Sequence, residues 1–217
     1  MKYYWQSGES IDLPIGKAVC VGRNYVAHAK ELGNEVPSEP LLFIKPSTSI
    51  CNAENTVVLN HVLGEHHYEA ELTLLIGKTL TKDNIDDYKS CILGVGVGLD
   101  LTLRELQSSL KSKGHPWEKA KAYDNSCLVS PFVDAPQVDL TRSTFSLDIN
   151  GEQKQLGDTQ LMLFNIQNLL KEIVQYFSLQ PGDLVLTGTP QGVGRLSAGD
   201  SLALSLNGEC LAEFSVD

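Results

Sequence analysis

Hydrophobic and polar positions along the chain follow mostly a period of two, with a few stretches of helical spacing. Thr144 to Ile149 alternates strictly, placing Phe145, Leu147 and Ile149 on one face of a predicted strand. Asn150-Gly151 follows, a dipeptide suited to a type I′ hairpin turn, and Asn207-Gly208 predicts a second hairpin between 201–206 and 209–216. Residues 17–22 and Leu184 to Leu186 read as short strands, and the run Leu41 to Pro46, ending on a lysine and a proline, as a strand leading into a loop. Three helices are predicted. One runs from Tyr25 to Leu32, with Asn24 as N-cap and Gly33 as the C′ residue. A second opens at Thr102 with capping-box spacing to Glu105 and runs to about Lys113, where Gly114-His115-Pro116 stops it. The longest spans Thr159 to Phe177 and carries the stripe Met162, Ile166, Leu169, Leu170, Ile173 and Phe177. The pattern predicts one β-rich α+β domain over residues 1–217, with 1–16 as a short N-terminal extension. There is no internal repeat, low-complexity tract or Gly/Ser linker.

Composition narrows the partners. A net charge of −10 argues against nucleic acid or an anionic membrane as a binding surface, since both need a basic footprint. No apolar stretch approaches a membrane span, and the first residues lack the charged and apolar regions of a signal peptide. The five cysteines are scattered, with no C-x-x-C pair, so neither a disulfide framework nor a zinc site is expected. A reducing, cytoplasmic setting is the expectation.

Candidate chemistry begins at His67-Tyr68-Glu69-Ala70-Glu71-Leu72. In an extended strand Glu69 and Glu71 share a face. Two adjacent carboxylates suit either a solvated edge or half of a site for a cation that prefers oxygen ligands. In 91–100, the residues Cys91, Leu93, Val95, Val97 and Leu99 alternate with Gly94, Gly96, Gly98 and Asp100. One face is aliphatic, and the other is bare backbone until Asp100. Such glycines mark the close approach either of a ligand or of a packed neighbour. His28 and Glu31 lie three apart, on one helix face, as either a surface pair or a dyad; Arg104 and Gln107 share a face in the same way. The loop 187–194, Thr-Gly-Thr-Pro-Gln-Gly-Val-Gly, lacks the G-K-[ST] of a P-loop but offers hydroxyls and N–H groups to a carboxylate, or is a wide turn.

Several segments in order resemble the fumarylacetoacetate hydrolase family, in particular its short, single-domain acylpyruvase-like branch. They are Gly22-Arg23-Asn24-Tyr25 with His28 and Glu31, Phe43-Ile44-Lys45-Pro46, His67-x-Glu69-x-Glu71-Leu72 and Gly98-Leu99-Asp100-Leu101-Thr102. Arg104 and Gln107, Lys113 to Lys121, and Leu186-Thr-Gly-Thr-Pro190 to Gly194 continue the set. The resemblance implies a mixed β-sandwich or β-roll with a few packed helices, usually a homodimer. It implies Mg²⁺ or Mn²⁺ held by the residues matching Glu69, Glu71 and Asp100. It implies substrate contacts at Arg23, Arg104, Gln107 and Thr189, and a catalytic set of Lys121 with a His28–Glu31 dyad on a mobile segment.

The activity so implied is hydrolysis of a C–C bond in acylpyruvate-type 2,4-dioxo acids, giving pyruvate and a carboxylic acid. Lys121 would add positive charge beside the enolate oxygen. His28 would act as general base on water, oriented by Glu31. The same residues without the water would serve an oxaloacetate decarboxylase or keto–enol tautomerase, or an isomerase or decarboxylase of a 2-oxo diacid. A non-catalytic metal- or metabolite-binding protein is the expectation from a different class.

Overall fold

The computed structural model describes residues 1–217. Its central sheet is mixed, in the order Leu41–Lys45, Ala18–Gly22, Leu184–Leu186, Ala70–Ile76, Ile92–Asp100, Cys127–Val129, Ile50–Asn52, with Val133–Asp134 also pairing to Ile92–Asp100. Ala18–Gly22 runs parallel to Leu184–Leu186, and Cys127–Val129 parallel to Ile50–Asn52; the other neighbours are antiparallel. A second sheet holds both Asn-Gly hairpins, in the order Glu152–Asp158, Thr144–Ile149, Ser201–Leu206, Glu209–Val216, Asn55–Val57. Asn150 and Asn207 have φ of 53° and 51°, and Gly151 and Gly208 of 78° and 82°, as a type I′ turn requires.

The two sheets pack through Leu72, Leu74, Val95, Val97 and Leu99 on one side and Phe145, Leu147, Leu202, Leu204 and Phe214 on the other. Period-two alternation in both sheets dictates this, because each presents one apolar face. The opposite face of the central sheet carries a smaller cluster with Cys20, Leu75, Cys127, Phe132 and Leu186. Tyr3 and Trp5, from the first residues, pack on the same region beside Phe132. All five cysteines are free.

The helices differ from expectation. The first is Val26–Glu31, and its N-cap is Tyr25 without a side-chain cap. Asn24 instead bridges three segments: its Oδ1 accepts from Phe164 N, and its Nδ2 donates to the carbonyls of Phe164 and Thr187. The second helix is Arg104–Ser112, and Thr102 lies in a short strand, Thr102–Leu103, instead of capping it. The Thr102 hydroxyl donates to the Asp100 carbonyl. The long expected helix divides into a 3₁₀ turn, Thr159–Leu161, and the helix Ile166–Tyr176, capped by Asn165 through Asn168 N. The Asn165 cap, a strong start signal, begins the helix at Ile166, leaving Met162 outside it. No helix is long and apolar enough to cross a membrane.

Candidate active site

Glu69 sits where the chain leaves one sheet for another. His66–Tyr68 belongs to a three-stranded sheet with Thr102–Leu103 and Gly194–Arg195, whereas Ala70–Ile76 enters the central sheet. The expected parity holds across the break: Glu71, Thr73 and Leu75 follow Glu69 on one face, while Ala70, Leu72 and Leu74 enter the main core. Register sets Glu71 opposite Gly98 and Ala70 opposite Leu99, and Asp100 N donates to Glu69 O at 2.9 Å. The three carboxylates therefore converge, with one oxygen of each within 4.8 Å of the others. All three residues are buried.

The glycine face serves packing. A Cβ at Gly94 would stand 2.9 Å from Phe132 Cβ, and one at Gly98 would stand 2.6 Å from Thr73 Oγ1. The bare backbone lets neighbouring segments close over the strand, so only its end, at Asp100, reaches the site.

Two lysines meet the acids. Lys121 Nζ donates to Glu69 Oε2 at 2.7 Å, Asp100 Oδ2 at 2.6 Å and Thr102 Oγ1 at 2.6 Å, so every ammonium proton has a partner. Lys45, fully buried, lies 2.8 Å from Asp100 Oδ1 and donates to the carbonyls of Lys121 and Ser126 and to the Ser126 hydroxyl. Arg104 pairs through Nη2 with Glu69 Oε1 and donates through Nη1 to Gln107 Oε1 at 3.0 Å; its Nε is buried without a partner. The expected carboxylate clamp is thus already engaged with Glu69. Only a carbonyl can accept from the guanidinium, so the Gln107 amide directs its NH₂ away from Arg104.

Charge balance is uneven among the three acids. Burial raises the Glu69 carboxyl, but Lys121 and Arg104 together hold it well below the usual range. Burial also disfavours the Lys121 ammonium, and Asp100 and Glu69 more than reverse that. Glu71 has no cationic partner. It accepts one hydrogen bond, from Gly188 N at 2.6 Å, and burial with the charges of Asp100 and Glu69 raises its carboxyl well above the ordinary value. Gly188 has φ of 99°, and a Cβ there would lie 2.6 Å from Asn24 Cβ, so glycine is required at this contact.

The residues fit a divalent cation. Three buried carboxylates converge, Glu71 among them has no cationic partner, and Asp100 Oδ1 is buried without an aligned hydrogen bond. An all-oxygen donor set with no Cys or His suits a hard ion such as Mg²⁺ or Mn²⁺.

His28 is buried on the short helix, but its Nδ1 has no hydrogen-bond partner, and Glu31 Oε2 is 3.5 Å away. The Glu31 carboxylate instead accepts from Gly192 N at 3.1 and 3.2 Å. Burial lowers the imidazolium's pKa, opposed by the charge of Glu69. The dyad is adjacent but not joined, which differs from the expected role of Glu31 as an orienter. Arg23, His28, Glu69, Glu71, Arg104, Gln107, Lys121 and Thr189 all line one narrow cavity of about 40 Å³. Leu41, Phe43, Trp117 and Lys121 line both this cavity and a wider groove of about 590 Å³. Sequence reasoning missed Lys45, Lys111 and Gln155. Lys111 also lines the small cavity, and burial together with Arg23 and Arg104 lowers its pKa.

A buried triad of acids beside a saturated lysine is a donor set that could hold a divalent cation. Residues 17–215 match the family model for the fumarylacetoacetate (FAA) hydrolase C-terminal domain, and the chain belongs to that family. It is 46% identical over 209 residues to oxaloacetate tautomerase YcgM of Escherichia coli (strain K12), covering 95% of each chain. It is 40% identical to the mitochondrial oxaloacetate tautomerase FAHD1 of Arabidopsis thaliana, covering 93% of this chain and 91% of that one. Among solved structures, fumarylpyruvate hydrolase from Pseudomonas aeruginosa in complex with Mn²⁺ and pyruvate superposes with a TM-score of 0.90 at 32% identity, over 100% of this chain and 95% of that one. The β-rich sandwich with few helices agrees with that family's fold.

Proposed function

We propose that this protein interconverts the keto and enol forms of oxaloacetate, in preference to hydrolysing a monocarboxylic acylpyruvate. The carrying observation is the excess of cations in the small cavity. Lys121 and Arg104 are paired with acids, but Arg23 and Lys111 line the same cavity without a carboxylate partner. Lys111 donates only to Asn34 Oδ1, at 3.3 Å. Arg23 is held at φ 59°, a left-handed conformation unusual for a long side chain and one that tends to occur at functional sites. Two cations without a carboxylate partner in one cavity match a second carboxylate on the substrate. The names of the two relatives support the same reading.

A divalent cation held by Glu69, Glu71 and Asp100 would supply Lewis acidity to the 2-oxo group. The Gln107 amide, Arg104 Nε and Thr189 hydroxyl orient the adjacent carboxylate, and Arg23 and Lys111 take the distal one. His28, neutral at pH 7 because of its burial, removes a proton from C3. The C3–H electrons form the C2–C3 double bond and the carbonyl pair moves to the C2 oxygen, whose negative charge the Lys121 ammonium meets while keeping its own protons; His28 then delivers the proton it took to that oxygen, so both side chains end as they began. Contact with Lys121 exchanges one of its three present partners for that oxygen. The reverse order returns the keto form.

Acylpyruvate hydrolysis is the second reading. It is favoured by the His28–Glu31 adjacency, which offers a base for water, and by the likeness to a fumarylpyruvate hydrolase. One experiment separates the readings. Enol oxaloacetate is mixed with Mg²⁺ and protein, enol absorbance is followed, and products are identified by NMR; an acylpyruvate is run in parallel. Faster enol loss without stoichiometric pyruvate is expected. Absence of acceleration, with pyruvate released from the acylpyruvate, overturns the tautomerase assignment. Pyruvate formed from oxaloacetate at the rate of enol loss would mark a decarboxylase instead. A homodimer is also proposed, and light scattering of the purified protein tests it.

A further inference from the structure

Gln155 belongs to Glu152–Asp158, the outer strand of the second sheet, yet it is 1% exposed. Its amide is fully engaged. Oε1 accepts from Ala70 N at 2.8 Å, and Nε2 donates to Thr189 Oγ1 at 2.8 Å and to Pro190 O at 3.0 Å. The chemistry fixes the amide orientation, because Ala70 N–H can only donate and Pro190 O can only accept. Ala70 stands between Glu69 and Glu71 at the sheet-to-sheet break. Thr189 lines the small cavity. One buried side chain thus ties the backbone of the acid pair to the loop that faces the substrate.

We infer that Gln155 is a positioning residue that sets the polarity of the Thr189 hydroxyl. Because Thr189 Oγ1 accepts from Gln155, its own proton is left to donate into the cavity, toward a substrate carboxylate. A hydroxyl free to rotate would offer that proton only part of the time. A carboxylate at 155 would reverse the arrangement, since Thr189 would then donate to it and present lone pairs to an anionic substrate. The loop geometry holds this register: Gly192, at φ 97°, has no room for a Cβ, which would lie 2.2 Å from Lys154 O. The inference rests on the assignment of Thr189 as a contact of the substrate carboxylate.

The test uses the Mg²⁺-loaded full chain and two readouts, calorimetric binding of oxalate and the kcat and KM for oxaloacetate. Gln155→Glu is expected to weaken oxalate and raise KM about tenfold, the scale of one hydrogen bond to a charged group, with kcat changed less than about threefold. Thr189→Val is expected to do the same. The double variant should be no worse than Thr189→Val alone, since Gln155 acts through that hydroxyl. Should Gln155→Glu fail to fold, as judged by its thermal midpoint, Gln155→Met carries the test with an expected loss of about threefold, again absent in the Thr189→Val background. Unchanged oxalate binding, or losses that multiply in the double variant, overturns the inference. If oxaloacetate is not turned over while oxalate binding follows the expected pattern, the tautomerase reading falls and the role of Gln155 stands.

Discussion

The acid–lysine centre and the His28 segment face the same cavity but are built differently. Glu71 and Asp100 project from two paired antiparallel strands, and Glu69 directly precedes the first of them, its carbonyl accepting from Asp100 N. Lys121 joins Glu69 to Asp100, and Lys45 pairs with Asp100. His28 and Glu31 sit on a helix of six residues, too short to be stable alone, and reach the rest of the site through Gly192 N–H. The first region is preorganised, as charge stabilisation requires. The second is tied to the site by fewer hydrogen bonds, chiefly those from Gly192 N to Glu31.

Removing the cation from the first region should have the largest effect. Exhaustive chelation is expected to lower tautomerisation by about a thousandfold or more, restored by Mg²⁺. Activity that survives chelation would make the triad a structural feature. Lys45→Met comes next. It leaves the Asp100 carboxylate buried without one of its two cations and removes one of the two donors to each of the Lys121 and Ser126 carbonyls, and should cost about 3–5 kcal/mol in urea denaturation. A loss below about 1 kcal/mol would mean that the centre is not held as the distances imply.

Changes in the second region should spare stability and act on rate. His28→Ala is expected to lower turnover about a hundredfold, with a folded, Mg²⁺-binding protein. If hydrolysis of an acylpyruvate falls but oxaloacetate tautomerisation does not, the base in the tautomerase scheme is misassigned. Because burial depresses its pKa, His28 is neutral at pH 7, and wild-type activity should decline only as pH falls below the ordinary value of 6.5. The smallest effect is expected for Glu31→Ala, about a two- to fivefold rise in KM, since its carboxylate is partly exposed and holds only a loop N–H.

The same contrast describes what was legible beforehand. Period two paired Glu69 with Glu71, and the glycine face ended at Asp100, because strand parity survives any tertiary context. The purpose of the glycines was not legible, since packing partners such as Phe132 and Ser130 come from elsewhere in the chain. Lys45 closes an apolar run before a proline, where a strand leads into a loop, and nothing local marks it as buried; only the fold buries it. Gln155 was hidden by a bulge. The register shifts between Leu147 and Asp148, leaving Lys154 unpaired and setting Gln155 opposite the inward Leu147. Leu156 is then 57% exposed, the reverse of what alternation predicts. Thr102 and Asn24 were read as caps because their local spacing allows it, but buried tertiary partners took their side chains.

Binding of Mg²⁺ to the purified chain bears most directly on the acid–lysine centre. Glu71 is raised by burial and by Asp100 and Glu69, so the cation-free protein keeps a proton there above the ordinary value of 4.5 and loses stability as pH rises past it. Binding must expel that proton, so affinity rises with pH. Calorimetry in buffers of different ionisation enthalpy should give one ion per chain with proton release above pH 4.5, where Glu71 still holds its proton, fading as pH rises further. Glu71→Gln should weaken binding at least about tenfold and abolish the release. A wild-type chain that binds no divalent ion, or binds it as well with Gln at 71 and without proton release, would contradict the triad as a cation site.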